Sequence, residues 1–207
     1  MKDLLIKVCG MRDTGNIKKV LRSGIDLMGF VFYKSSQRYT EIIPAGIEFD
    51  GISKVGVFVN SPIKEVVKKA IGFDLDFLQL HGEESPGYCK KLKSQNNKII
   101  KAFSVNDDFD FKKCEEYTDA VDYFLFDTKG KLKGGNGKTF NWKILDNYVL
   151  NKPFILSGGI GLEHLTEIKK MDHLQLAGID LNSGFEIIPG IKDYNKLKRF
   201  INELRSR

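Results

Sequence analysis

A short β-rich segment recurs eight times along this chain, and that recurrence limits the folds open to it more than any other feature. The segments are Leu4–Cys9, Asp26–Phe32, Lys54–Val59, Phe77–His81, Lys98–Ser104, Tyr123–Asp127, Pro153–Ser157 and Gly178–Leu181. Their starts lie roughly 20 to 30 residues apart, about one strand plus one helix. The stretches between them carry helical periodicity. Ile63, Val66, Val67 and Ala70 share one face behind Pro62, which suits a first helical turn, and Leu197, Phe200, Ile201 and Leu204 form a stripe near the C-terminus. After the second strand Pro44 and Gly46 permit only a short helix. Strands alternating with helices imply a parallel sheet, and eight units would close a barrel, whereas an open doubly wound sheet more often has five or six strands. The expectation is an α/β fold: one (β/α)8 barrel domain over residues 1–207, undivided by any linker or low-complexity segment.

Composition narrows the class. Hydrophobic residues make up 42% and charged residues 29% of the 207 positions, as in globular proteins with one sizeable core. No run reaches the length of a membrane span. The apolar run Leu4-Leu5-Ile6 breaks at Lys7, short of a signal peptide, so a cytoplasmic location is expected. The net charge of +6 comes from lysines scattered over helices, as in Lys18-Lys19, Lys68-Lys69, Lys90-Lys91 and Lys169-Lys170. That pattern reads as solvated helix faces and argues against a nucleic-acid partner, while a phosphorylated small molecule remains compatible with it. Cys9, Cys89 and Cys114 are odd in number and lack CxxC spacing, so neither a disulfide framework nor a zinc site is expected.

Barrels of this architecture build chemistry at the C-terminal strand ends. Here those ends carry Cys9-Gly10, Phe32 followed by Arg38, Asn60, His81-Gly82, Phe103-Ser104, Asp127, Ser157-Gly158-Gly159 and Asn182-Ser183-Gly184. Strand parity adds that an inward Cys9 brings Lys7 inward, an inward His81 brings Gln79, and an inward Asn182 brings Asp180. Since strands one and eight are neighbours in a closed barrel, Lys7 and Asp180 are expected to form a buried ion pair below the site. Glycine-bearing turns after strands seven and eight (Gly158, Gly159, Asn182, Ser183, Gly184) point to a phosphorylated ligand, because backbone N–H groups freed there face an anion. The run Gly134-Gly135-Asn136-Gly137-Lys138-Thr139 fails the nucleotide P-loop pattern at Leu132 and a dinucleotide fingerprint at Phe140. It is read instead as a mobile loop able to close over substrate.

Together these motifs resemble the phosphoribosylanthranilate isomerase family along nearly the whole chain. The carriers are Lys7-Val8-Cys9-Gly10-Met11, Gly29 through Tyr33 with Ser36-Gln37-Arg38-Tyr39, Val55 through Asn60, Gln79-Leu80-His81-Gly82-Glu83, Phe126-Asp127-Thr128 with Gly134 through Trp142, Leu156 through Gly159, and Asp180 through Glu186 with Pro189-Gly190. The resemblance implies an Amadori rearrangement of N-(5-phosphoribosyl)anthranilate in tryptophan biosynthesis, with no cofactor or metal. It makes Asp127 the general acid that opens the ribose ring and Cys9 the general base at C2. It places Arg38 on the anthranilate carboxylate, leaves the Gly158, Gly159, Asn182, Ser183 and Gly184 turns for phosphate, and puts Glu186 near the substrate amine. Asn182 departs from the serine or small residue usual there. Lys34 through Gln37 departs from a proline-containing loop and so bears on how Arg38 is presented.

Each residue alone has a plainer reading. Cys9 fits a small buried hydrophobe, Asp127 a helix N-cap and Arg38 a surface charge, while His81 either positions substrate or satisfies a loop carbonyl. Their joint placement favours the enzyme. A histidine-pathway isomerase of similar architecture is expected to use two aspartates, and Cys9 argues against it. A catalytically silent barrel is disfavoured by the intact Cys9, Asp127 and glycine pairs. Either a monomer or a homodimer is compatible with the sequence.

Overall fold

The computed structural model describes residues 4–128 and 140–206. Among these, eight parallel strands hydrogen-bond in chain order and close into a barrel: β1 (Leu5–Val8), β2 (Leu27–Val31), β3 (Ser53–Phe58), β4 (Phe77–Leu80), β5 (Lys98–Val105), β6 (Tyr123–Thr128), β7 (Phe154–Leu156) and β8 (Leu176–Leu181). Each overlaps one of the eight segments expected from sequence. No helix among the described residues is long and apolar enough to cross a membrane. The Gly134–Thr139 run and the first three residues lie outside the described residues.

Helices form where the sequence supplies both an apolar stripe and a cap. In α1 (Thr14–Val20) the Asp13 carboxylate accepts from Asn16 N at 2.7 Å. In α3 (Pro86–Lys93), after α2 (Ile63–Phe73), Ser85 Oγ accepts from Tyr88 N and Pro86 takes the first helical position. α4 (Leu165–Lys170) is short, and α5 (Tyr194–Arg205) buries Leu197, Phe200, Ile201 and Leu204 behind its Asp193 cap. Pro62 departs slightly from expectation. With φ −58° and ψ 138° it stands just before α2 as its N-cap, its carbonyl accepting from Val66 N.

The short helix allowed after β2 does not form. Residues 32–52 run as turns and bends, because Pro44 supplies no donor and Gly46 and Gly51 adopt φ of +69°. After β5 and β6 the coverings are 3-10 turns, Phe111–Tyr117 and Trp142–Asn147. After β8 the chain adds a small antiparallel pair, β9 (Glu186–Ile188) and β10 (Ile191–Lys192), before α5.

The core has two parts. A large shell packs the outer sheet face against the helices, while the barrel interior is stacked with Leu27, Val55, Phe77, Ile100, Ala102, Leu125 and Ile155. Above that stack the inward columns turn polar: Phe77 gives way to Gln79 and His81, Leu125 to Asp127, and Leu5 to Lys7 and Cys9. Lys7 pairs in register with Asp180 across the β1–β8 seam, and its Nζ donates to both carboxylate oxygens at 3.0 and 2.9 Å. Burial opposes the Lys7 charge, but the Asp180 carboxylate, and then the Cys9 sulfur, outweigh it and hold the ammonium above its ordinary value. The expected buried pair is present.

Lys7→Met would strand a buried carboxylate and is expected to cost about 3–5 kcal/mol. Urea unfolding of Lys7→Met, Asp180→Leu and the double variant checks this. The double variant should lose much less than the sum of the two single losses; additive losses would rule out the pair as the source.

Candidate active site

At the C-terminal mouth of the barrel lies a pocket of about 650 Å³, part of it open to solvent. Its walls include Cys9, Arg38, His81, Asp127, Gly158, Gly159, Asn182 and Ser183, eight of the ten residues singled out from sequence. The motifs ending strands one, two, four, six, seven and eight are thus brought to one cavity, while Asn60 and the Phe103-Ser104 end of strand five stay outside its lining.

Cys9 sits directly over Lys7. A Cβ placed on Gly29 of β2 would come within 2.7 Å of Cys9 Sγ and 3.2 Å of Lys7 Nζ, so glycine there leaves room for both side chains. Burial pushes the Cys9 thiol above its ordinary value of 9.0; Lys7 opposes this without overcoming it, and Asp180 reinforces it. At rest the residue is a neutral thiol.

Asp127 closes β6. Its Oδ1 accepts from Thr128 N at 2.9 Å, and its Oδ2 lies 3.2 Å from His81 Nε2. That approach is off the line of a hydrogen bond, so His81 Nε2 has Asp127 as its charged neighbour but no hydrogen-bond acceptor. The other ring nitrogen is satisfied: Gln79 Nε2 lies 3.0 Å from His81 Nδ1, and an amide nitrogen only donates, so Nδ1 accepts and Nε2 carries the hydrogen. Gln79 Oε1 is likewise buried and has no hydrogen-bond donor. Gln79 and His81 therefore present unmet polar atoms in the pocket they line, and His81 does not serve a loop carbonyl.

The loop carrying His81 is braced from outside the barrel, a feature missed in sequence. Lys101 of β5 is buried and donates to the carbonyls of Leu80 and Gly82 and to Glu84 Oε2, while Glu84 accepts from the N–H groups of Asn60 and Gly82. A lysine inside an apolar strand was the available signal, but its partners lie 17 to 21 residues away.

Arg38 reaches the pocket from the irregular chain after β2. Ser36 Oγ accepts from Arg38 N at 3.1 Å and Arg12 donates to Gln37 O, so hydrogen bonds fix the loop in which proline was expected. The Nε and Nη2 of Arg38 grip Glu186 at 2.9 and 2.5 Å, leaving Nη1 outside this pairing. Glu186 also accepts from Lys192 Nζ at 2.7 Å and Gly190 N at 2.9 Å. Burial alone would raise its pKa, but the Arg38 and Lys192 hydrogen bonds outweigh that and hold it below the ordinary carboxylate range.

Two sequence-chosen residues do not line the pocket. Glu186 stands behind Arg38, and Gly184 packs against the loop after β7, where a Cβ would run into the carbonyl of Ile160. Gly158 and Gly159 adopt φ of +94° and +65°, open to glycine, and a Cβ on Gly158 would collide with Thr128. Among the described residues no group of three or more His, Cys, Asp or Glu side chains is placed to hold a metal ion.

Comparison with known proteins follows the same line. The profile of the N-(5'-phosphoribosyl)anthranilate (PRA) isomerase family matches residues 6–203. A relative of that name from Parabacteroides distasonis is 48% identical over 206 residues, covering 97% of this chain and 93% of the relative. A crystal structure of phosphoribosyl anthranilate isomerase in complex with reduced 1-(o-carboxyphenylamino)-1-deoxyribulose 5-phosphate superposes with a TM-score of 0.80 at 28% identity, over 98% of both chains. Monomers generated from the dimeric enzyme of Thermotoga maritima superpose with a TM-score of 0.77 at 26% identity, over 99% of this chain and all of that one.

Gly158→Ala would force an alanine into a left-handed backbone against Thr128, costing about 1–3 kcal/mol. Thermal unfolding should show that loss as a lowered midpoint. An unchanged midpoint would contradict the crowding at this turn.

Proposed function

The chain belongs to the N-(5'-phosphoribosyl)anthranilate isomerase family, and on that premise we propose that Asp127 and Cys9 are its general acid and base. The enzyme rearranges N-(5'-phosphoribosyl)anthranilate to 1-(2-carboxyphenylamino)-1-deoxyribulose 5-phosphate, an isomerisation in tryptophan biosynthesis. The observation that carries the assignment is that Cys9 and Asp127, on strands far apart in the barrel order, line one pocket with Arg38 and the Gly158-Gly159 turn.

The steps balance within the substrate. Asp127 gives its proton to the ring oxygen as the bond from that oxygen to C1 breaks, leaving an iminium between C1 and the amine. Thiolate Cys9 takes the C2 proton, and the electron pair moves into the C1–C2 bond to form an enaminol. Ketonisation returns a proton from Cys9 to C1 and the hydroxyl proton to Asp127, leaving the acid and the thiolate with which the cycle began. The resting thiol forms that thiolate by releasing its proton to solvent through the open pocket, and the cationic iminium then favours the thiolate beside it.

Binding roles divide by chemistry. Arg38 takes the aromatic carboxylate, on the guanidinium face that Glu186 leaves open. Gly158, Gly159 and Ser183 take phosphate, with Gly184 letting their two loops pack closely. His81, through Nε2–H, receives the charge left on Asp127. Glu186 acts from behind Arg38 rather than on the amine. The chain works as one barrel domain, alone or as a homodimer, the dimer being the state named for the Thermotoga maritima relative.

Cys9→Ala and Asp127→Ala should each lower kcat by about 10²–10⁴-fold while the reduced product analogue still binds. Fluorescence of substrate made in situ reads the rate, and the wild-type rate should climb with pH as the thiol, held above 9.0, ionises. Full activity in either variant would remove that residue from the proposed pair.

A further inference from the structure

Lys192 is a buried charge that the acid–base scheme leaves without a task. It lies on β10, outside the barrel, and its backbone is clasped by Asn16 of α1: Asn16 Nδ2 donates to Lys192 O, and Lys192 N donates to Asn16 Oδ1, both at 2.8 Å. The side chain is fully buried and ends between two acceptors, Asn182 Oδ1 and Glu186 Oε1, each at 2.7 Å. An ammonium has only hydrogens to offer, so the Asn182 atom facing it must be the oxygen. The Asn182 amide nitrogen is thereby turned away from Lys192, as a donor on a residue that lines the pocket.

Asn182 and Arg38 are neighbours. A Cβ built on Gly10, whose φ is +78°, would lie 2.6 Å from Arg38 Cδ and 3.0 Å from Asn182 Oδ1, so the two side chains flank that glycine. Both also end on the same node, Arg38 through Glu186 and Asn182 directly through Lys192. We propose that Lys192 is a positioning residue that holds the Asn182 amide beside the Arg38 guanidinium as a subsite for the aromatic carboxylate of the substrate. This rests on the reading of the pocket as a phosphoribosylanthranilate site, and it moves Asn182 from the phosphate end to the carboxylate end.

Charge supports the assignment. Arg38 and Glu186 alone would cancel, and an incoming carboxylate would then meet Glu186 with no net attraction. Lys192 makes the cluster positive. Burial lowers its pKa to about 8, with Glu186 and Cys9 opposing the fall and Arg38 adding to it, which keeps the side chain charged at neutral pH.

The test compares affinities for two probes, reduced 1-(2-carboxyphenylamino)-1-deoxyribulose 5-phosphate and its phenylamino counterpart without the carboxylate. Wild type should prefer the carboxylate-bearing probe, and Lys192→Met should erase at least tenfold of that preference while binding the other probe as before. Asn182→Asp, which keeps its contact with Lys192 but aims an oxygen at the pocket, should lose the preference with its thermal midpoint held, and it carries the test if Lys192→Met does not fold. Retention of the full preference in a folded variant overturns the role of Lys192. Failure of wild type to bind either probe would instead overturn the reading of the pocket.

Discussion

The Lys7–Asp180 pair sits where the last strand meets the first, and the rest of the molecule depends on that closure. A parallel barrel has no free edge only if β8 finds β1 in register, and here the two charged residues are register partners. An apolar pair at this level would also close the barrel, but a one-residue slip would cost it little. A slip of Lys7 away from Asp180 would leave two uncompensated charges under the pocket, each costing several kcal/mol. The pair therefore selects one register, and with it the positions of Cys9 and Asn182, each two residues beyond a member of the pair.

That closure organises the interior by height. Below the pair, branched and aromatic side chains fill the barrel as a solid core, which is where stability resides. Above it the same inward columns carry cysteine, histidine, aspartate and asparagine. Polar groups there are affordable because the pocket is open to solvent and to a charged ligand. Two further ion networks, Lys101–Glu84 and Lys192–Glu186–Arg38, brace the loops from behind. The first pins the loop after β4 that carries His81, and the second pins Arg38 and Asn182 together.

The barrel was legible in the sequence because its signals are local. Each strand is a short apolar run, and its parity predicts which residues share the interior; the Lys7–Asp180 contact followed from parity and closure alone. What sequence did not reveal depends on backbone geometry or on distant partners. The covering after β2 lost its helix because proline and two left-handed glycines interrupt it. Glu186 lies close in sequence to Ser183, yet it faces Arg38 because the chain turns into β9 just after the 3-10 turn Ser183–Phe185. Lys192 gave no signal, since a lysine before a helix cap reads as surface until Asn16, Asn182 and Glu186 are seen around it.

The choice of a thiol at position 9 follows from the charges already buried nearby. Asp127 and Asp180 face the same upper interior, and the Asp180 carboxyl is raised by burial above all, with the Asp127 charge adding to it. Lys7 is the cation bonded to Asp180 at that depth. A third carboxylate at position 9 would share that one ammonium, and like charges so close cannot all ionise. A cysteine avoids the conflict by resting neutral, kept so by burial and by Asp180. In the proposed scheme the sulfur is needed as a base only after positive charge has developed on the substrate, and that charge favours the thiolate. Gly29 completes the arrangement, because a side chain at that position on the neighbouring strand would displace the sulfur from above Lys7.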